Sequence, residues 1–317
     1  MEISSDPPAK AAASLRWAIL RHVFLRRPSS SNLDDDQSQN CIKRISRKTT
    51  QGFNLIPSQL QHSAPLSKSN HSSGSRDASV CYTLPIPSSP KLFLTQRVDN
   101  CANLNDFEIS NKYDIDNTGL VCHWPSEDVL AYFCLSHEGM FRSKRVIELG
   151  SGYGLAGLVI AAATEATEVV ISDGNPQVVD YIQHNIEANS EAFGGTTVKP
   201  LILHWNQEEP SNISGSFDVV IASDCTFFEE FHKSLARTVK SLLTKAGPSE
   251  AVFFSPRRGN SLDKFLEEIK ESGMHYSITE NYETQVWRHH QRFVNGDDSW
   301  PNYEEDHCYP LLVRITH

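Results

Sequence analysis

Three glycines at alternate positions, Gly150, Gly152 and Gly154, follow Glu148 at the end of an apolar run and open a helical one. Glycine there permits positive φ and lets backbone approach a ligand where a side chain would block it. Gly152-x-Gly154-x-x-Gly157 also matches the formal dinucleotide fingerprint, which is a weak signal in isolation. It gains weight from Asp173, which closes the next apolar run after the helix. An acid at the end of a second strand can grip both ribose hydroxyls of an adenosine group. Trp205, in Leu-His-Trp-Asn, follows a third strand and could stack an indole on adenine or simply pack in the core. The fourth candidate is Ser223-Asp224-Cys225-Thr226-Phe227-Phe228, a carboxylate followed by two aromatic rings. Arg257 and Arg258 come just after a later strand, as solvated loop charges or as groups facing an acidic substrate.

These residues need a scaffold that brings strand ends together, and the pattern supplies one. Strands are expected at Val146–Leu149, Val169–Ser172, Val198–Leu203, Phe217–Ala222 and Ala251–Ser255. Helices at Pro125–Ser136, Leu155–Ala163, Pro176–Asn189, Glu229–Leu243 and Leu262–Glu271 alternate with them. Asn175 caps the third of these helices and Pro176 takes its first position. Such alternation builds an α/β fold with a parallel sheet and helices on both faces. A last pair, His275–Asn281 and Tyr309–Ile315, is expected to close the sheet as an antiparallel hairpin with a long intervening loop. In such sheets ligands bind beyond the C-terminal strand ends, where the four candidate segments fall.

Upstream, residues 1–79 read as a basic, partly disordered extension and residues 80–317 as the main domain. Residues 28–40 and 57–79 are rich in Ser, Asn, Gln and Pro and are expected to be flexible. Residues 14–27 form a basic, imperfectly amphipathic segment open to three readings: a transit peptide, a membrane-surface helix, or a helix docked on the domain or a partner. Val80–Leu84 and Lys91–Val98 flank a Pro-rich turn and read as a β-hairpin ahead of the domain.

Charge divides the chain. Residues 1–50 carry nine Lys/Arg against five Asp/Glu, and the remainder carries 20 against 34, so the acidic body disfavours nucleic acid. The seven cysteines are scattered, with no Cys-x-x-Cys pair, which points to reduced thiols in a cytoplasmic or nuclear protein. The histidines show no ligand spacing, so no metal is expected. No apolar stretch approaches the roughly 20 residues of a membrane span, and no stable membrane association is expected.

The order strand, Glu-x-Gly-x-Gly-x-Gly, helix, strand, Asp resembles motif I of class I S-adenosylmethionine-dependent methyltransferases, whose Rossmann-like sheet has seven strands. The antiparallel ending is also theirs rather than that of dehydrogenases. Asp224-x-x-Phe227 resembles the Asp-x-x-Tyr/Phe motif of seven-strand methyltransferases acting on protein lysines. Asp116–Gly119 and Cys122–Tyr132 resemble the segment that precedes motif I in that family, where the tryptophan (here Trp124) lines the cofactor site. Phe254–Asn260 and the ending from Tyr303 to Leu312 resemble the branch of the family that methylates calmodulin.

The resemblance implies S-adenosyl-L-methionine as cofactor, held by Trp124, Glu148, Gly150, Gly152, Gly154, Asp173, Trp205 and Ser223. It implies Asp224 and Phe227 as catalytic residues, and Phe228 with Arg257 and Arg258 on the substrate side. It further implies calmodulin as protein substrate, trimethyllysine as product and a monomeric enzyme. A binding module without activity, or an NAD-dependent oxidoreductase resting on the glycine fingerprint alone, would be the competing readings.

Overall fold

The computed structural model describes residues 52–61, 77–86, 90–97, 104–116, 118–120, 124–207 and 213–317. The basic segment 14–27 and its expected helix lie outside the described residues, as does most of the stretch 28–79.

Seven strands form the main sheet: β4 (Arg145–Leu149), β5 (Glu168–Asp173), β6 (Thr197–Ile202), β7 (Val219–Ser223), β8 (Glu250–Ser255), β9 (His275–Thr279) and β10 (Leu311–Thr316). Their order across the sheet is β6-β5-β4-β7-β8-β10-β9. β4 to β8 run parallel, while β10 lies antiparallel between β8 and β9. The expected antiparallel closure is therefore present, with β10 inserted beside β8 rather than added at the edge.

The direction of winding reverses at β4. Helix α3 (Leu155–Ala163) leads from β4 to β5, and α4 (Pro176–Ala188) from β5 to β6. Helix α5 (His232–Leu242) leads from β7 to β8, moving the opposite way across the sheet. Right-handed crossovers in opposite directions place their helices on opposite faces. Burial follows: every residue of Val146–Leu149 and Val219–Ala222 is buried, as expected for central parallel strands covered on both sides. Helix α2 (Pro125–Ser136) precedes β4 and packs on α3, with Val129, Leu130 and Phe133 at or below 1% exposure.

Several elements depart from the sequence expectation. Ahead of the domain stands a three-stranded antiparallel sheet, not a hairpin: β1 (Ser58–Gln61) pairs with β2 (Asp77–Thr83), which pairs with β3 (Lys91–Arg97). β1 falls in the segment expected to be flexible, and the boundary at residue 80 falls inside β2. Its four residues are all exposed, so no hydrophobic alternation announces it. Just before it, Phe53 is 1% exposed and meets Phe293 and Trp300 edge-on at 5.6 and 5.8 Å. The folded unit thus begins well before residue 80. The second departure is helix α7 (Thr284–Val294), inside the expected loop between the last two strands. Val286, His290 and Phe293 are buried at i, i+4 and i+7, a helical period readable in the sequence. Helix α1 (Leu104–Tyr113) was also not foreseen; its composition is polar.

Helix α4 holds the small sheet by an unusual means. Asn185 and Asn189, one turn apart, each present a carboxamide to β3. Asn189 accepts from Phe93 N–H at 2.8 Å and donates to Phe93 C=O at 2.7 Å. Asn185 does the same with Thr95, at 2.8 and 3.1 Å. The two side chains thus stand in for a further strand and pair backbone groups on the free edge of β3. Asn189→Ala should leave Phe93 N–H and C=O without partners. A loss of about 1–3 kcal/mol of stability is expected, measured by urea unfolding; a change within error would show that water replaces the carboxamide.

Candidate active site

The C-terminal ends of β4, β5, β6 and β7 open onto one cleft, enclosing about 950 Å³ of space continuous with solvent. Gly150 to Gly152 come from β4, Asp173 and Gly174 from β5, Leu203 to Asn206 from β6, and Ser223 to Cys225 from β7. Trp124 and Glu127, at the start of α2, close it from above.

Gly150 is required by close approach. Its φ is 56°, and a Cβ there would lie 2.8 Å from Cys225 Sγ and 3.2 Å from the Trp205 ring. Any side chain would fill the floor of the cleft. Asp173 ties the glycine loop to the second strand: one carboxylate oxygen accepts from Gly152 N–H at 3.1 Å and the other from Asn175 N–H at 2.8 Å. Both oxygens are thus engaged by backbone amides at the edge of the cleft. Burial pushes the Asp173 carboxyl up to about 7; the Asn175 and Gly152 amides pull it down, and the Asp116 carboxylate adds repulsion.

Glu148 and Gly154 do not line the cleft, which corrects their expected role in holding the cofactor directly. The Glu148 side chain turns under the loop and accepts from Gly157 N–H at 2.8 Å, satisfying a free amide in the first turn of α3. Glu148 is 3% exposed, and burial pushes its carboxyl up to about 8 against the pull of the Gly157 amide, with the Glu127 and Asp173 carboxylates adding to the rise. Gly157, the last glycine of the dinucleotide-like string, is glycine because a Cβ would sit 2.6 Å from Ile171 and 2.8 Å from this carboxyl. Gly154 (φ 83°) caps the same helix against Ile171. Motif I therefore combines a ligand-facing half, Gly150–Gly152, with a half that fastens loop to helix.

Across the cleft, Asp224 sits in the left-handed region (φ 54°), sparsely populated by non-glycine residues and characteristic of functional sites. One oxygen accepts from Ser126 N–H at 3.0 Å, at the N-terminus of α2. The other lies 2.7 Å from Arg258 Nη1, in an ion pair whose side chains are 2% and 5% exposed. The Arg258 guanidinium is also stacked 4.9 Å from both the Trp124 and the Phe227 ring centroids. Arg258 is therefore neither a solvated loop charge nor a group facing an acidic protein surface, the two sequence readings; it is paired with a buried carboxylate. Arg257 is the exposed member of the pair, 3.8 Å from Asp263. Phe228 and Ser223 line the cleft, whereas Phe227 stands behind Trp124, with ring centroids 5.4 Å apart.

Residues 113–120 contribute more than the sequence reading assigned them. Asp114, Ile115, Asp116, Gly119 and Leu120 all line the cleft, and the Tyr113 ring stacks on His204 at 5.1 Å. Tyr153, between the glycines, is fully buried; its hydroxyl donates to Leu120 C=O at 2.8 Å and accepts from Arg97 N–H at 3.2 Å. It locks the small sheet and the 118–120 turn to the glycine loop. Both features could have been found in the quoted segment Asp116–Gly119 and in the one aromatic residue of a glycine-rich string.

A sheet of this order with its sixth-placed strand antiparallel, a glycine loop after β4 and an acid after β5, defines a class I methyltransferase. A sequence profile described as lysine methyltransferase matches residues 106–272. The calmodulin-lysine N-methyltransferase of Arabidopsis thaliana is 65% identical over 98% of this chain and 99% of its own length. The protein-lysine N-methyltransferase EEF2KMT of Mus musculus is 30% identical over 50% of this chain and 51% of its own. The protein N-lysine methyltransferase METTL21A of Danio rerio is 27% identical over 55% and 76%. With motif I and Asp224-x-x-Phe227 both inside the matched span, the chain belongs to the lysine methyltransferase family.

The cleft fits S-adenosylmethionine: Gly150 leaves room where a Cβ would intrude, Asp173 offers two acceptors to a ribose, and the Trp205 ring borders the floor. Asp173→Ala should weaken S-adenosylhomocysteine binding roughly ten- to a hundredfold, the loss of hydrogen bonds to a charged acceptor. Wild-type affinity should rise as pH increases through about 7, where Asp173 ionises, and the variant should lose that dependence. Calorimetry at several pH values checks both, and an unchanged affinity in folded Asp173→Ala protein removes the residue from the ribose site. Glu148 makes a separate forecast. Its carboxyl, ordinarily near 4.5, titrates near 8 when folded. The native state thus holds a proton that the unfolded chain has released, so its stabilising contribution is complete at low pH and lost as pH rises towards 8. Glu148→Gln keeps the acceptor for Gly157 and cannot ionise. Its melting temperature should gain on wild type as pH increases from about 5 to about 8.5; parallel profiles would contradict the assignment.

Proposed function

We propose that this protein methylates a lysine of calmodulin, to trimethyllysine, using S-adenosylmethionine. The observation that carries the substrate is the 65% identity, over 98% of the chain, to the Arabidopsis thaliana enzyme named for calmodulin lysine. The site supports the chemistry independently of that name.

S-adenosylmethionine supplies, when bound, an electrophilic methyl group on a sulfonium. Gly150 and Gly152 admit its amino-acid and adenosyl parts at the strand ends, Asp173 takes the ribose and Trp205 flanks the base. Asp224 is the carboxylate at the β7 end of the cleft and accepts a hydrogen bond from the incoming amine. The Trp124 and Phe227 rings provide apolar walls for a lysine stem and cation-attracting faces for its head. Desolvation against them lowers the lysine pKa from its usual value of about 10.4 and favours the neutral, nucleophilic amine. The remaining work is placement, for which well-oriented systems provide up to roughly 7–11 kcal/mol.

The acidic body meets its acidic substrate through the basic leader at residues 1–50, and the enzyme acts as a monomer in the cytoplasm, with the nucleus as a second location. None of the four described cysteines is in a disulfide, which supports a reducing compartment. No helix among the described residues is long and apolar enough to cross a membrane.

Asp224→Ala tests the chemistry and calmodulin tests the substrate in one experiment. Mass spectrometry of calmodulin after incubation with wild type and S-adenosylmethionine should show one lysine carrying up to three methyl groups. The variant should lose most of this transfer while still binding S-adenosylhomocysteine. Unmodified calmodulin would overturn the substrate, and Asp224→Ala activity within a factor of two of wild type would overturn the role of the carboxylate.

A further inference from the structure

We propose that Arg258 is an internal occupant of the substrate lysine's place, which must withdraw before a protein lysine can reach Asp224. The inference rests on the reading of this site as a lysine methyltransferase centre. Its geometric basis is that a cation already fills the position a substrate ammonium would take. The Arg258 guanidinium lies 2.7 Å from Asp224, and its centre lies 4.9 Å from each of the two rings that would receive a lysine head.

Space permits one cation there and not two. The Asp224 side chain is 2% exposed and its oxygen facing Arg258 is buried, so an amine cannot reach that oxygen while Arg258 stays. The cofactor cleft reaches Trp124 and Asp224 but neither Phe227 nor Arg258, which places these two on the far side of the carboxylate. A lysine meeting the cofactor from that far side would pass through the volume that Arg258 holds.

The arrangement also carries signs of an exchangeable occupant. Arg258 Nη2 is buried without a hydrogen-bond partner, and the Asp224 oxygen facing Arg258 receives no aligned hydrogen bond. The contact is an ion pair that leaves donor capacity unused, unlike a guanidinium held in a two-pronged fork. The Arg258 backbone, in contrast, is fixed: its N–H donates to Asp306 C=O at 2.9 Å, and Gly259 N–H to the Asp306 carboxylate at 2.7 Å. Withdrawal is thus a rotation of one long side chain about an anchored loop. Substitution of one cation for another keeps Asp224 paired throughout, so neither state leaves a buried charge alone. In the empty enzyme, Arg258 covers the Trp124–Phe227 ring pair and excludes small amines.

The cost of withdrawal appears in the apparent substrate affinity, because a site competent only part of the time binds more weakly by that fraction. Arg258→Ala should therefore lower the KM for calmodulin at least threefold, and by a larger factor than any change in kcat. A residue that merely oriented Asp224 would behave oppositely, with a lower kcat at unchanged KM. Arg258→Gly provides a second variant suited to the backbone φ of 46° at this position, and S-adenosylhomocysteine affinity verifies that each protein is folded. A substrate-independent arm uses n-butylammonium, a cation of lysine side-chain shape, titrated by NMR with S-adenosylhomocysteine present. At least tenfold tighter binding to both variants than to wild type is expected, and this arm stands even if calmodulin proves not to be the substrate. Equal binding to wild type and variants, or a reduced kcat at unchanged KM, would overturn the proposal.

Discussion

A carboxylate buried at the end of a central strand must be paired, and the way Asp224 is paired organises the rest of the site. Its two oxygens take the first free amide of α2 and the guanidinium of Arg258. Three segments far apart in sequence thereby converge: the approach to α2, the end of β7, and the loop between β8 and the helix Ser261–Glu271. The same convergence brings Trp124 and Phe227 face to face with a single cation. Leaving any one of these groups without the others would strand either a charge or a helix terminus in an apolar setting.

The opposite wall of the cleft is governed by a different balance. Glu148 and Asp173 stand near other carboxylates, and no lysine or arginine among the described residues lines the cleft, so burial, helped by mutual repulsion, holds protons on these two acids against the pull of the amides. Asp173 remains in contact with the cleft and Glu148 does not. One acid is thus poised to ionise when a ligand donates hydrogen bonds, while the other serves as a neutral brace beneath the loop.

Local signals in the sequence carried the strand-helix alternation, because period, caps and glycine spacing are written within ten or fifteen residues. Helix Leu155–Ala163 has the bounds its apolar run predicted, and Asn175 caps α4 through Gln177 N–H as its type implied. What escaped was partnership. Arg258 reads as a solvated loop charge until Asp224 is seen beside it, and Asn185 and Asn189 read as the polar face of an amphipathic helix until β3 is found against them. Glu148 belonged to a recognisable motif, yet its side chain serves the helix and not the ligand. β1 lacked alternation because both its faces meet solvent, and α7 was hidden by being sought as a loop.

The carboxamide clasp between α4 and β3 has a mechanical consequence. Helix α4 begins at Asn175, two residues from the acid that borders the cleft, and its far end grips the strand through Asn185 and Asn189. At 1.5 Å per residue its thirteen residues form a strut about 20 Å long. Tyr153 adds a crossbar, bonding the glycine loop to the same strand at Arg97. Cleft and small sheet are thus two ends of one truss. A load applied to the outlying strands reaches the cleft edge at Asp173 through this helix and crossbar.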